Sequence, residues 1–98
     1  MTVEITGIHS YHVSDNTRDH ILEKLKRLEH FDELVQEIKF TLTKETNHEY
    51  KVAGDLHLKW GVRGHISVND RDLYKAVDDL LDKMDFKIAR EKEKIKTH

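Results

Sequence analysis

The chain has 98 residues, with 17 Lys+Arg against 19 Asp+Glu, 8 His, no Cys, no Pro and 37% apolar content. This suits one compact domain, 1–98, with one core and no room for a deep catalytic cavity, and the lack of cysteine excludes disulfides, thiolate metal sites and thiol nucleophiles. No apolar run approaches the roughly 18 residues that span a bilayer, and MTVEITGIHSYH has neither the charged nor the apolar part of a leader, so an untethered cytoplasmic protein with no membrane partner is expected.

Val3 and Ile5 alternate with Thr2, Glu4 and Thr6 ahead of Gly7, which predicts a first strand over 2–7. Ser14, Asp15 and Asn16 then offer helix caps. Ile21, Leu22, Leu25, Leu28 and Phe31 recur at helical spacing and predict a first helix over about 16–31. Ile38, Phe40 and Leu42 alternate with Lys39, Thr41 and Thr43 in a second strand. After a polar stretch at 45–49, Tyr50, Val52, Leu56, Leu58 and Trp60 share a parity, which predicts a third strand and turns the Trp60 indole inward. Gly61 and Gly64 bracket Val62 and Arg63 as a hairpin, and Ile66 and Val68 face inward from a fourth strand. Asn69 and Asp70 offer caps for a long helix from about 71, in which Leu73, Val77, Leu80, Leu81, Met84, Ile88 and Ile95 hold the period.

The order β-α-β-β-β-α favours a right-handed crossover between parallel first and second strands, followed by an antiparallel meander. A sheet with one apolar face must carry both helices on that face. The expected architecture is an α+β two-layer sandwich, a four-stranded sheet with two helices on one side.

Charge is distributed unevenly. From Lys83 to Lys96 six bases stand against three acids, a local +3, while the remainder holds 11 bases and 16 acids, a local −5. At about 100° per residue, Lys83, Lys87, Arg90 and Lys94 fall within about 60° of one another beside the buried face, and Asp78, Asp82, Asp85 and Glu93 lie round the far surface. Such a stripe fits a surface that meets a polyanion; it also fits a solvated helix whose C-terminal bases complement its dipole. Lys24 and Arg27, with Lys26 further round, make a second ridge on the first helix. With both helices on one face, the groove between them is expected to present Lys24 and Arg27 together with Lys83, Lys87 and Arg90 to phosphates.

The remaining candidates carry less. The histidines include no H-E-x-x-H, so no metal is expected. His57, His65, Lys59, Arg63, Thr41 and Ser67 share an outward parity, which describes a polar sheet face. Asp78, Asp79 and Asp82 have the chemistry for acid–base work, but on an amphipathic helix they read as a solvated face. Trp60 and Tyr74 have rings on which bases stack, although parity assigns Trp60 to the core. No P-loop, G-x-G-x-x-G or G-x-S-x-G occurs, and no enzymatic activity, cofactor or small-molecule substrate is expected. The classes left are an RNA-binding protein, a module whose basic helix meets an acidic protein partner, and a small enzyme using the Asp cluster.

The run D-R-D-L-Y-K-A-V-D-D-L-L-D-K-M at 70–84, followed by K-I-A-R-E-K-E-K-I-K, resembles the short ribosome hibernation promoting factors, relatives of the bacterial ribosome-associated inhibitor (sigma-54 modulation protein family). The opening strand ending in T-G, the helix R-D-H-I-L-E-K-L-K-R-L-E-H-F and L-H-L before the hairpin match in the same order, so the resemblance runs end to end. It implies binding to small-subunit rRNA and ribosomal proteins in the decoding channel, overlapping mRNA and tRNA, and silencing of idle ribosomes, with ribosome dimers promoted in stationary phase; inhibition of single ribosomes without dimers is the alternative. It further implies a protein that is monomeric off the ribosome. Lys24 and Arg27 match the family's helix-one bases, and Lys83, Arg90, Lys92 and Lys94 match those of helix two. Phe86 stands where a base is frequent, with Lys87 as a local substitute, and Glu91 puts an acid among the bases. With the sequence ending at His98, the resemblance implies the short form, in which neither the C-terminal dimerisation domain of the long forms nor the extra tail of the ribosome-associated inhibitor is expected.

Overall fold

A computed structural model describes residues 1–96, with side chains up to Lys94; the side chain of Ile95, expected in the last helix's apolar stripe, lies outside the described residues. The elements are β1 (Thr2–Gly7), α1 (Asp15–Leu25) continued by a 3₁₀ turn (Lys26–Phe31), β2 (Val35–Lys44), β3 (Tyr50–Leu58), β4 (Arg63–Asp70) and α2 (Leu73–Lys96). The strands lie in the order β1-β2-β3-β4, β1 parallel to β2 and the rest antiparallel, as the β-α-β start and the meander require. The result is the α+β two-layer sandwich, with both helices on the apolar face of the sheet.

The core lies between helices and sheet. Ile38, Phe40 and Leu42 of β2 and Val52, Leu56 and Leu58 of β3 meet Ile21 and Leu28 from the first helical segment and Val77, Leu80, Leu81, Met84 and Ile88 from α2, all at or below 2% exposure. Contact at the centre is close: a Cβ on Gly54 of β3 would lie 3.2 Å from the Met84 sulfur and 3.6 Å from Leu80 Cδ2, so glycine lets α2 settle onto the strand. Ser14 caps α1 by accepting the Thr17 N–H at 3.1 Å. Capping of α2 falls to Asp72, which accepts the N–H groups of Tyr74 and Lys75, while Asp70 accepts that of Asp72; the expected cap at Asn69 or Asp70 is displaced because β4 runs on through Asp70.

Two apolar residues depart from their expected positions. Leu22 is 45% exposed, because it sits one residue round from the buried Ile21 and Leu25. Trp60 is 72% exposed: β3 ends at Leu58, and a short 3₁₀ turn, Lys59–Gly61, breaks the alternation that would carry its ring inward. The hairpin therefore turns at 59–62, and Gly64 lies within β4 opposite Leu56.

Candidate nucleic-acid interface

The two helices run side by side in the same direction, as their cross-contacts show. His20 faces Tyr74, with ring centroids 4.5 Å apart, and Asp78; Lys24 faces Asp78, Arg27 faces Asp82 and Asp85, and Phe31 faces Lys92. This fixes which flank of α2 adjoins α1. Residues near 200° to 260° round the helix from Lys83 (Asp78, Asp82 and Asp85) lie along the seam between the helices, and the Lys83 side faces the β4 edge. Lys87 marks that edge, since its Cε lies 3.1 Å from where a Cβ on Gly64 would stand.

The expected groove joining Lys24 and Arg27 to Lys83, Lys87 and Arg90 is therefore absent, and Asp78, Asp82 and Asp85 face α1 rather than a far surface. The Arg27 guanidinium donates to Asp82 at 2.5 Å and reaches Asp85 at 3.5 Å, and the Lys24 ammonium stands 3.8 Å from Asp78, which also holds His20 at 3.0 Å. Electrostatics explain the arrangement: a basic ridge on one helix packs better against an acidic flank of its neighbour than against a second basic ridge. Each of these partly exposed pairs contributes about 0–1 kcal/mol, so the seam sets the helices' register more than it adds stability. It also gives Asp78 and Asp82 positive partners, the setting of structural carboxylates.

The β4-side flank remains basic. Lys83, Lys87, Arg90 and Lys94 form a ridge about 16 Å long at 1.5 Å per residue. Glu91 lies inside it, 9% exposed, its Oε1 accepting from Lys87 Nζ at 3.2 Å and from Lys94 Nζ at 3.3 Å. The Lys87 hydrogen bond, aided by that of Lys94, holds the Glu91 carboxyl below its ordinary range against the opposing effect of burial. The acid that interrupts the stripe in the sequence thus clasps two of its bases and leaves the ridge with four positive charges against one negative. Lys83 makes no ion pair with any described residue. Arg90 stacks its guanidinium over the Phe86 ring at 5.7 Å, and Phe86 is 66% exposed, so this aromatic side chain supports a neighbouring base. Lys92 belongs to neither the ridge nor an ion pair of the seam; its Nζ lies 5.8 Å above the Phe31 ring at the seam's far end.

Elsewhere the sheet's uncovered face forms a shallow groove of about 580 Å³ lined by Glu37, Lys39, Asp55, His57, Arg63 and His65. Its charges are mixed and paired, His65 with Asp55 across β4 and β3 at 2.6 Å and Lys39 with Glu37 along β2 at 3.6 Å, so no single sign of field is focused there. No group of three His, Asp or Glu side chains gathers in a metal-holding arrangement among the described residues. No described helix is long and apolar enough to cross a membrane. The basic flank of α2 is the surface suited to a polyanion: it can neutralise backbone phosphates without reading bases.

A four-stranded sheet shielded on one side by two parallel helices, the second turning a segregated basic edge outward, defines an α+β class with a recognisable membership. The chain belongs to the family described as Sigma 54 modulation protein / S30EA ribosomal protein, which it matches over residues 3–96. It is 31% identical over 98 residues to the ribosome hibernation promoting factor of Klebsiella oxytoca, covering 100% of both chains. To that of Azotobacter vinelandii it is 36% identical over 95 residues, 96% of this chain and 85% of the other. In fold it is similar to a ribosomal subunit interface protein from Coxiella burnetii (TM-score 0.85, 22% identity, 95% of this chain and 99% of that one). It is similar also to the N-terminal domain of Thermus thermophilus Protein Y (TM-score 0.78, 23% identity, 92% and 98%).

Proposed function

We propose that this protein is a noncatalytic, cytoplasmic ribosome hibernation factor that binds small-subunit rRNA and adjoining ribosomal proteins in the decoding channel, blocks mRNA and tRNA there, and favours inactive ribosome dimers in stationary phase. The observation that carries this reading is the segregated ridge Lys83, Lys87, Arg90 and Lys94 on α2, set apart from the acids that α1 engages. Similarity to ribosome hibernation promoting factors supports a ribosomal polyanion as the ridge's partner. rRNA is recognised largely through phosphate, sugar and shape, so a rigid helix edge with spaced bases suffices, and no base-reading motif is needed.

Mechanism then follows from volume and charge. A folded protein seated in the channel excludes the polyanions that would occupy it, and its cationic edge replaces counterions on the channel's phosphates. No bond is made or broken, so inhibition is reversible. In a cell-free translation assay, added protein stops synthesis, excess mRNA and initiator tRNA displace it from small subunits, and a high-salt wash restores activity with intact rRNA. Cleaved rRNA, or activity that fails to return, contradicts occlusion.

A further inference from the structure

At the end of the molecule where the 3₁₀ turn after α1 meets the β3–β4 hairpin, a shallow pocket of about 240 Å³ is lined by the exposed Trp60 together with His30, Phe31, Glu33, Leu34, Lys59 and Lys92. Trp60 is held there at a backbone cost. Its φ of 62° is in the left-handed region, uncommon for a bulky side chain, and the turn that imposes it is pinned from two sides. Lys59 donates its N–H to the Leu34 carbonyl at 2.9 Å, and Leu58 donates to Val62 at 2.8 Å. A large aromatic ring is thus presented 72% exposed by a fixed turn. His30 and Phe31 also line the pocket, their ring centroids 4.0 Å apart; Phe31 is buried, with Lys92 Nζ 5.8 Å over its ring, so the open aromatic surface is that of Trp60.

Such a site selects its occupant by three features. Its volume falls below the usual range for drug-sized ligand cavities and suits one flat ring system. Aromatic faces attract a π-face, and two lysines at the rim attract the phosphates joined to it. The single acid among the lining residues, Glu33, can accept hydrogen bonds from the amino groups at a base's edge. We propose that this pocket stacks one unpaired nucleobase of a bound RNA strand on Trp60, with Lys59 and Lys92 on the flanking phosphates. The inference rests on the RNA-binding reading above and adds to it a stacking site outside the α2 ridge.

Trp60 is the chain's only tryptophan, so its fluorescence reports this site alone. The full chain is titrated with a labelled cytidine octaribonucleotide and with an abasic octamer of equal charge, and indole emission and label anisotropy are read together. The expected result is quenching of Trp60 by the base-bearing strand only, and tighter binding of that strand by about tenfold, as stacking of one base supplies. Trp60→Ala equalises the two strands, Trp60→Phe keeps most of the difference, and neither shifts Tm appreciably, since the ring is exposed. Anisotropy that rises with unchanged emission, or a preference for the base-bearing strand that persists undiminished in Trp60→Ala, overturns the stacking site and leaves the RNA-binding reading intact. Emission that responds to isolated ribosomal proteins but not to RNA also overturns it, in favour of a protein occupant. No binding of either strand or of small subunits overturns the reading and the pocket together.

Discussion

Glu91 illustrates how one residue sets the strength of the basic edge. In sequence it is an acid that weakens a stripe of bases; in the fold its carboxylate binds Lys87 and Lys94 at once, so a phosphate must compete with it for both. Glu91→Gln removes that competitor, and RNA affinity is expected to rise several-fold in equilibrium binding, with a steeper salt dependence. Unchanged or weaker binding would mean that the clasp positions the lysines for RNA. The same substitution has a pH signature. Because the folded-state pKa lies below the ordinary 4.5, the stability this carboxylate supplies is complete above about pH 4.5 and is lost as pH falls through the depressed value. Urea unfolding from pH 7 to 3 should therefore show a smaller acid loss in Glu91→Gln than in the parent. None of the clasp was legible in the sequence beyond the i,i+4 and i,i+3 spacings, since these also occur in exposed pairs that contribute little.

Among the elements, what periodicity can resolve was legible, and what depends on the relative placement of two elements was not. Val3 and Ile5, Ile38, Phe40 and Leu42, and Leu80, Met84 and Ile88 all point where their spacing says, because strand and helix periods are fixed by covalent geometry. Trp60 departs from the strand's parity because the Lys59–Gly61 turn resets it, and Leu22 because it lies at the margin of the helix's apolar stripe. The helix map separates bases from acids on α2 but sets the basic flank beside α1, where the structure has the acidic one, because the two flanks lie to either side of the buried face. Only the parallel course of the helices decides this, bringing Arg27 to Asp82 and Asp85. A paired stability measurement tests the core assignment. Leu80→Ala, at a fully buried site against Gly54, is expected to cost about 2–5 kcal/mol in urea unfolding, whereas Leu22→Ala stays within about 0.5 kcal/mol. A near-neutral Leu80→Ala would place that face of α2 in solvent.

At the scale of the whole molecule, the charge arrangement separates binding from solubility. The acidic remainder and the salt-bridged seam keep most of the surface from attaching to polyanions, while a net-positive edge, four bases against Glu91, lies where α2 borders β4. The polyanion is expected to engage that edge, and Lys24 and Arg27, already held by Asp78, Asp82 and Asp85, to contribute little. Co-sedimentation with small ribosomal subunits across a salt series, for the parent, Lys83→Glu/Arg90→Glu and Lys24→Gln/Arg27→Gln, tests this directly. With three to four phosphates neutralised, log K of the parent should fall against log salt at a slope of about −2 to −3, on a coefficient of about 0.7 per phosphate. The account predicts that reversing Lys83 and Arg90 abolishes most binding and flattens the slope, while the Lys24 and Arg27 variant binds nearly as the parent does. A flat parent response, or equal losses in the two variants, would contradict it.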